Sequence, residues 1–237
     1  MTRYTNEATS SLTRAAIQGP TLIEQTYTLI LDGICAGRLQ PGERLNQDEL
    51  AARMNVSRQP VGQAMSILKS QGFVRDAGRR GLIVAPIEQD FFRTIYELRE
   101  AIDPMAARLT AERGADEGIA AGEQLVAKGR QAIESGSVQD LVAADMEFHL
   151  WICRLAGNPL LVETVSHYWN HLRRAMGEVL RPTQYREQTW EEHEAIFRAI
   201  AARDTKAAEE CALRHVKGAA ERVVASLTLP KRERGLG

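Results

Sequence analysis

The spacing of apolar positions divides the chain into two regions with different predicted structures. In the first, helical spacing up to Gly37 is followed by two short helical patterns joined by a tight turn at Asn55-Val56, and then by a glycine-rich hairpin. From Pro86 onward the spacing is helical throughout, and Pro104 is expected to kink or split the first helix there. The helices predicted in this second region cover 88–113, 117–134, 137–155, 159–180, 184–203 and 205–227.

The predicted fold is therefore mainly α, with an N-terminal winged helix-turn-helix and a C-terminal all-α helical bundle. A chain of 237 residues with 44% hydrophobic content can form two cores. The expected domains are 21–86 and 87–228, with a flexible arm over 1–20 and a flexible tail over 229–237. No apolar run is long enough to span a membrane, and three cysteines far apart in the sequence favour reduced thiols in a cytoplasmic protein.

Two helix starts within the first region define the helix-turn-helix. Asn46 is a good N-cap for the first helix, and Glu49 follows at the spacing of a capping box. Ser57 is a good N-cap for the second helix, and Pro60 falls in the first turn of that helix, where proline is tolerated. Apolar positions further along this helix leave its N-terminal end exposed. The residues at that end are Arg58, Gln59, Gly62 and Gln63.

In a winged helix-turn-helix, the start of the second helix contacts base edges of operator DNA. Arg58 can bind guanine through two hydrogen bonds, and Arg79 and Arg80 at the tip of the wing can reach the minor groove or phosphates. Taken singly, each arginine is more often a solvated surface charge than a DNA contact. The candidate DNA-binding residues are Gln47, Ser57, Arg58, Gln59, Gln63, Arg79, Arg80 and Gly81.

The first region resembles the DNA-binding domain of the GntR family. One departure concerns Gly62, because the family usually has a second arginine at this position, one turn after Arg58. A contact to phosphate or guanine is therefore expected to be missing there. The matching residues are Gly37, Pro41-Gly42, Leu45, Leu50-Ala51, Val56-Ser57-Arg58, Pro60-Val61, Leu68, Gly72 and Gly81.

The second region resembles the FCD effector domain of FadR-like GntR regulators, so the resemblance extends from 21 to about 227. Asp145 and His149 lie one helical turn apart, and by themselves they are more often a hydrogen-bonded pair than metal ligands. The resemblance places them with His193 and His215 inside one bundle, and thereby implies a divalent metal site for Zn, Ni, Mn or Fe. The matching features are Tyr96-Glu97-Leu98-Arg99, Asp145-x-x-x-His149, Ala156-Gly157-Asn158, His193 and His215.

Arg99 stands where this family has a pocket arginine, which implies that it binds a carboxylate of a small organic acid effector. Its alternative is an ion pair within its own helix, with Glu97, Glu100 or Asp103 as the partner.

Two other sets of side chains lie close to these candidates in the sequence. His167 and His171 are also one turn apart, and we interpret them as lining the pocket or its rim rather than as ligands. Cys153 and Cys211 lie one turn from His149 and His215 respectively, and are expected to pack as small apolar residues.

The resemblance implies a homodimer that reads a pseudo-palindromic operator and is not an enzyme. We expect a repressor that an organic acid releases from DNA. Three alternatives stay open: the metal itself is the signal, the metal is structural and the effector is larger, or the chain is a helical metalloenzyme with Glu147 or Glu192 as base.

Overall fold

The computed structural model describes residues 19–78, 81–180 and 182–228. The chain falls into two compact units. Of the described residues, the first unit holds those up to Ile34 together with those of Gly42–Ala85, and the second holds Cys35–Pro41 together with those from Pro86 onward. The predicted arm and tail lie outside the described residues, apart from residues 19 and 20 of the arm.

The first unit has the predicted winged helix-turn-helix fold. Its described helices are α1 (Leu22–Cys35), α2 (Gln47–Met54) and α3 (Arg58–Ser70), and its strands are β1 (Arg44–Leu45), β2 (Val74–Asp76) and β3 (Leu82–Val84). The strands are antiparallel in the order β1-β3-β2, so β2 and β3 form the hairpin of the wing. The core of this unit contains Ile30, Ile34, Val61, Leu68, Phe73 and Val84.

The two helix starts behave differently. The Asn46 side chain accepts hydrogen bonds from the backbone N–H groups of Asp48 (2.9 Å) and Glu49 (3.5 Å), as expected for an N-cap. Ser57 occupies the N-cap position of α3, but its side chain accepts no hydrogen bond from the helix. Pro60 removes one of the two usual donors for a capping side chain, because it is the third helical residue and proline has no N–H.

The second unit is a helical bundle whose helices begin and end within two residues of the predicted bounds. Pro104 lies inside the first of these helices, which continues through it, so the expected split does not occur. The helix that contains Pro104 packs extensively against the last helix of the chain, which supports it over much of its length. The helices are α4 (Gln89–Arg113), α5 (Asp116–Ser135), α6 (Val138–Leu155), α7 (Pro159–Val179), α8 (Thr183–Ala201) and α9 (Thr205–Thr228).

An aromatic core inside this bundle positions α8. The Trp190 indole lies directly against Gly129 of α5, with no room for a Cβ between them. Its Nε1 donates a hydrogen bond to the carbonyl oxygen of Val126 (2.8 Å). On the other side, the rings of Trp190 and Phe148 both contact His193, with centroid distances of 4.8 and 4.5 Å. The orientation of His193 is thus fixed by packing against two aromatic rings.

Candidate metal centre and DNA-binding surface

Four buried polar side chains meet inside the second unit. His149 of α6, His193 of α8 and His215 of α9 each offer a ring nitrogen, and these nitrogens lie within 4.8 Å of one another. Asp145, one turn before His149, has its Oδ1 atom 3.5 Å from His193 Nε2 and 4.0 Å from His149 Nε2. The structure thus brings together the four side chains that the sequence predicted as ligands.

Several polar atoms of this cluster have no hydrogen-bond partner among the described residues. They are Oδ1 of Asp145 and both ring nitrogens of His193, which is completely buried. Buried polar groups are nearly always hydrogen-bonded, so each exception needs an explanation. A cation at the centre of the cluster would provide one. Three imidazoles and a carboxylate form a donor set that suits Zn, Ni, Mn or Fe.

Burial favours the metal-binding protonation state of His149 and His193, but not that of Asp145. Burial lowers the pKa of His149 and His193 well below the usual value, so both rings are neutral near pH 7. Burial also raises the pKa of Asp145 to about 6. A neutral imidazole has a lone pair available for a cation, whereas a protonated one does not.

A carboxylate outside the cluster orients His215. His215 Nδ1 donates to Oε2 of Glu192 (2.8 Å), and Arg222 donates two further hydrogen bonds to the same carboxylate (3.0 and 2.8 Å). Burial raises the pKa of Glu192, but the hydrogen bonds from His215 and Arg222 outweigh this effect and lower the pKa to about 2. Because Nδ1 of His215 is engaged, Nε2 is the nitrogen left for a ligand.

This role of Glu192 was missed from the sequence, where it was considered only as an enzymatic base. Its partners follow it by 23 and 30 residues on another helix. No spacing within one helix indicates such a contact. The other candidate base, Glu147, is paired with Lys128 at the surface (2.6 Å).

Arg99 lies beside the cluster and is buried. Its Nε and Nη2 atoms both donate to Oδ2 of Asp103 (2.9 and 2.7 Å), so the predicted alternative of an intrahelical pair is observed, with Asp103 as the partner. Nη2 is also 3.4 Å from His149 Nε2. The guanidinium therefore touches the candidate metal centre while a carboxylate of its own helix holds it.

Two small cavities flank the cluster, and Arg99, His149 and His215 line both. In each cavity the centre of a water molecule can occupy a volume of about 10 Å³, so each has room for about one water. In the cavity that Asp145 lines, the hydroxyl oxygens of Tyr96 and Thr189 have no hydrogen-bond partner among the described residues. As observed, neither cavity admits an organic acid.

The remaining histidines lie elsewhere. His167 is exposed, and its Nδ1 is 2.8 Å from the carbonyl oxygen of Glu163 on its own helix. His171 is buried, with its ring edge-on to Phe91 at a centroid distance of 4.8 Å. Neither is among the residues that line the two cavities, so a position at the rim of the pocket stays a prediction. Their side chains are used in contacts with their own helix and with α4.

The cysteines are free thiols. Cys153 is buried and lines one of the cavities, and burial raises the pKa of its thiol to about 12. Cys211 is half-buried and 3.0 Å from Nη2 of Arg214. Cys153 thus packs as a neutral side chain, as expected.

The candidate DNA-binding residues of the first unit lie at the starts of α2 and α3. Ser57, Arg58, Gln59 and Gln63 are exposed. Arg58 Nε pairs with Oδ1 of Asp48 (2.7 Å), which leaves its two terminal nitrogens for other contacts. Gln47 donates from Nε2 to the carbonyl oxygen of Arg58 (2.6 Å).

In the wing, Gly81 is exposed and adopts a φ of 72°. This left-handed conformation is the reason for a glycine at that point. Arg79 and Arg80, predicted to contact DNA from the tip of the wing, lie outside the described residues.

Comparison with known proteins identifies the family. Residues 22–84 match the profile of the bacterial regulatory proteins of the gntR family, and residues 94–218 match that of the FCD domain. The chain belongs to the GntR family of bacterial transcriptional regulators, in its FCD-containing form. This GntR regulator binds DNA through its first unit, and its family and relatives are regulators rather than enzymes. No helix in the described part of the chain is both long and apolar enough to cross a membrane.

Individual relatives agree with this assignment. The GntR regulator is 31% identical to the Nta operon transcriptional regulator of Aminobacter aminovorans, over 73% of this chain and 79% of that one. It is 28% identical to the HTH-type transcriptional repressor RspR of Escherichia coli K12, over 84% and 88% of the two chains. The solved structure of E. coli McbR/YncC has the same fold, with a TM-score of 0.76 at 20% identity, over 89% of this chain and all of that one.

Proposed function

We propose that this regulator is a cytoplasmic homodimeric repressor whose affinity for operator DNA is controlled by a small carboxylate bound at a divalent metal ion. The observation that carries the proposal is the buried cluster of three histidines and one aspartate, in which His193 and Asp145 have unpartnered polar atoms. The name of RspR as a repressor supports the direction of regulation.

Asp145, His149, His193 and His215 would hold the metal ion, and Glu192 would keep His215 in the orientation that ligation needs. A six-coordinate ion held by four protein ligands keeps two positions for water or for oxygens of an acid. Bound there, the ion supplies a positive centre for a carboxylate.

Arg99 provides the second positive group for the acid. Its Nη2 lies 3.4 Å from His149, so an acid at the metal has a guanidinium next to it. The unpartnered hydroxyls of Tyr96 and Thr189 offer further hydrogen bonds from one of the cavities. Because each cavity holds about one water, binding of an acid requires the helices around it to move. Such a movement is what allows a ligand to favour one arrangement of the protein over another.

On the DNA side, we propose that the start of α3 enters the major groove, with one half-site for each subunit. Ser57, Arg58, Gln59 and Gln63 are exposed at this end of the helix, and Gln47 lies beside it. Arg79, Arg80 and Gly81 would extend the contact through the wing.

Thermal unfolding of the metal-free protein tests the proposal, with Zn, Ni or Mn added alone and then together with single hydroxy acids, keto acids or dicarboxylic acids. A ligand that binds the folded state raises the melting temperature. We expect a shift with metal, and a further shift with one class of acid that disappears when a chelator is added. The active acid should then release a fluorescent operator duplex in an anisotropy assay. Metal binding without a response to any acid contradicts the sensor proposal.

A second candidate has a specific observation in its favour. The water-sized cavities suit a metal ion with one or two waters better than an organic acid. In this version the metal itself is the signal, and adding or removing it changes operator affinity with no acid present. A metal that stabilises the fold but leaves operator affinity unchanged indicates a structural ion and a larger effector.

A further inference from the structure

Gln47 and Gly62 fit together across the helix-turn-helix. Gln47 is the first residue of α2, and its side chain extends over the start of α3, where Nε2 donates to the carbonyl oxygen of Arg58 (2.6 Å). A Cβ placed on Gly62 would lie 2.7 Å from this Nε2 and 3.5 Å from Cδ of the same side chain. The Gln47 amide therefore fills the space that a side chain at residue 62 would take.

The backbone at Gly62 gives no reason for a glycine. Gly62 lies inside α3 and is not among the glycines with positive φ. Glycine in a helix is about 1 kcal/mol less favourable than alanine, so an alanine here would stabilise α3 if there were room for it. What a side chain at this position would displace is the Gln47 amide. The position of the Gln47 amide therefore depends on the absence of a side chain at residue 62.

The hydrogen bond to Arg58 fixes which end of the amide faces the helix. A carbonyl oxygen accepts only from nitrogen, so Nε2 of Gln47 points to Arg58. This nitrogen has two hydrogens, and Oε1 has no hydrogen to donate. After the bond to Arg58, one N–H donor and the Oε1 acceptor are left. A glutamine amide with both groups available matches the N7 acceptor and N6 donor of adenine in the major groove.

The Arg58 side chain also has donors that can contact a base. Its Nε is paired with Oδ1 of Asp48 (2.7 Å), which leaves its two terminal nitrogens for other contacts. Two such nitrogens match the O6 and N7 acceptors of guanine. The Gln47 amide is hydrogen-bonded to the backbone carbonyl of Arg58, so it lies beside the residue that carries this guanidinium.

We propose that Gln47 determines operator specificity in place of a side chain at residue 62: it reads the adenine of an A·T pair beside the base contacted by Arg58, and Gly62 leaves the space for it. This inference rests on the proposal that the start of α3 enters the major groove.

The test uses the purified full-length protein and a library of duplexes with a randomised central region. Selection and sequencing give the preferred sequence, and each of its A·T pairs is then changed to G·C for anisotropy titrations. Each half-site is expected to contain one A·T pair that Gln47 reads. For the wild type, changing this pair in one half-site should weaken binding by about 10- to 100-fold, the value of one bidentate contact. In Gln47→Ala this discrimination is lost.

Gly62→Ala tests whether the space at residue 62 is needed to position Gln47. Its methyl group displaces the end of a flexible side chain rather than backbone, so the protein is expected to fold and to melt at or above the wild-type temperature. It should nonetheless lose the same A·T discrimination as Gln47→Ala, and the double variant should lose no more than either single one. The matched control is Gly177→Ala, a helical glycine at which an added Cβ would have no atom of another described part of the chain within 4 Å. It should keep the wild-type preference.

The outcomes separate this inference from the proposed function. If Gln47→Ala or Gly62→Ala keeps the A·T discrimination while Arg58→Ala weakens binding, the inference is wrong and the placement of α3 stands. Additive losses in the double variant also overturn it. If Arg58→Ala leaves both affinity and preference unchanged, the placement of α3 in the groove is itself wrong.

Discussion

His193 is the residue at which a metal site has the clearest consequence for stability. Its ring is completely buried between Phe148 and Trp190, and neither ring nitrogen has a hydrogen-bond partner among the described residues. An unpartnered buried polar atom costs about 1–3 kcal/mol, so the two nitrogens destabilise the metal-free fold by about 2–6 kcal/mol. Leucine has a similar volume and no polar atoms. His193→Leu therefore removes this cost together with one of the four candidate ligands.

The substitution also loses ring contacts. Each aromatic pair contributes about 0.5–1.5 kcal/mol beyond the area that it buries, and His193 contacts two rings. We therefore expect the stability of metal-free His193→Leu to lie between about 1 kcal/mol below and about 5 kcal/mol above that of the metal-free wild type. A metal ion at a hundred times its Kd adds about 2.7 kcal/mol to the wild type. In a chain of this size, that raises the melting temperature by about 5–10 °C. The variant should gain little.

Tryptophan fluorescence is a suitable signal, because all three tryptophans of the chain lie in the second unit. Melting is followed after removal of metal by a chelator, and again with Zn, Ni or Mn present. His167→Leu is the matched control, since His167 is an exposed histidine outside the cluster and its loss should leave the metal response unchanged. A metal-free His193→Leu that melts far below the metal-free wild type, or that metal stabilises as much as the wild type, contradicts a metal site at His193.

Two other substitutions test the surroundings of the cluster. Glu192→Gln should weaken metal binding by about 10- to 100-fold in a chelator competition assay, because it removes the charge that orients a ligand, whereas Glu147→Gln at the surface should have no effect. Gly129→Ala should lower the free energy of unfolding by about 1–3 kcal/mol or more, because its methyl group meets the rigid indole of Trp190. Gly177→Ala has open space instead and should melt at or above the wild-type temperature, so equal melting of the two alanine variants contradicts the packing argument.

The helices could be predicted closely from the sequence because their ends are marked locally. Gly136 ends α5 in a left-handed conformation, and Asn55 does the same for α2. Pro104 shows the limit of such signals. A proline inside a helical pattern predicts a break, but the segments on both sides of it belong to one helix in a packed bundle. The bundle was not visible in the local pattern, and its packing outweighs the lost backbone hydrogen bond.

The candidate site was predictable only in part. The spacing of Asp145 and His149 indicates two side chains on one face, but it does not show that His193 and His215 meet them. That came from the family resemblance. The pairing of Glu192 with His215 could not be read from the sequence, because contacts between helices depend on how the helices are rotated about their axes.

The distribution of these residues over the helices suggests how an acid could act at a distance. The four candidate ligands lie on α6, α8 and α9, so a metal ion held by them would link these three helices and leave α4 out. Arg99 and Asp103 are on α4, held to each other beside the cluster. An acid that binds both the metal and Arg99 would bind a guanidinium that Asp103 already holds through Nε and Nη2, and it would join α4 to the other three helices. Under the proposed function, α4 is therefore the helix whose position an acid can change. It begins at Gln89, shortly after β3 of the DNA-binding unit ends at Val84, so the chain connects that change directly to the wing.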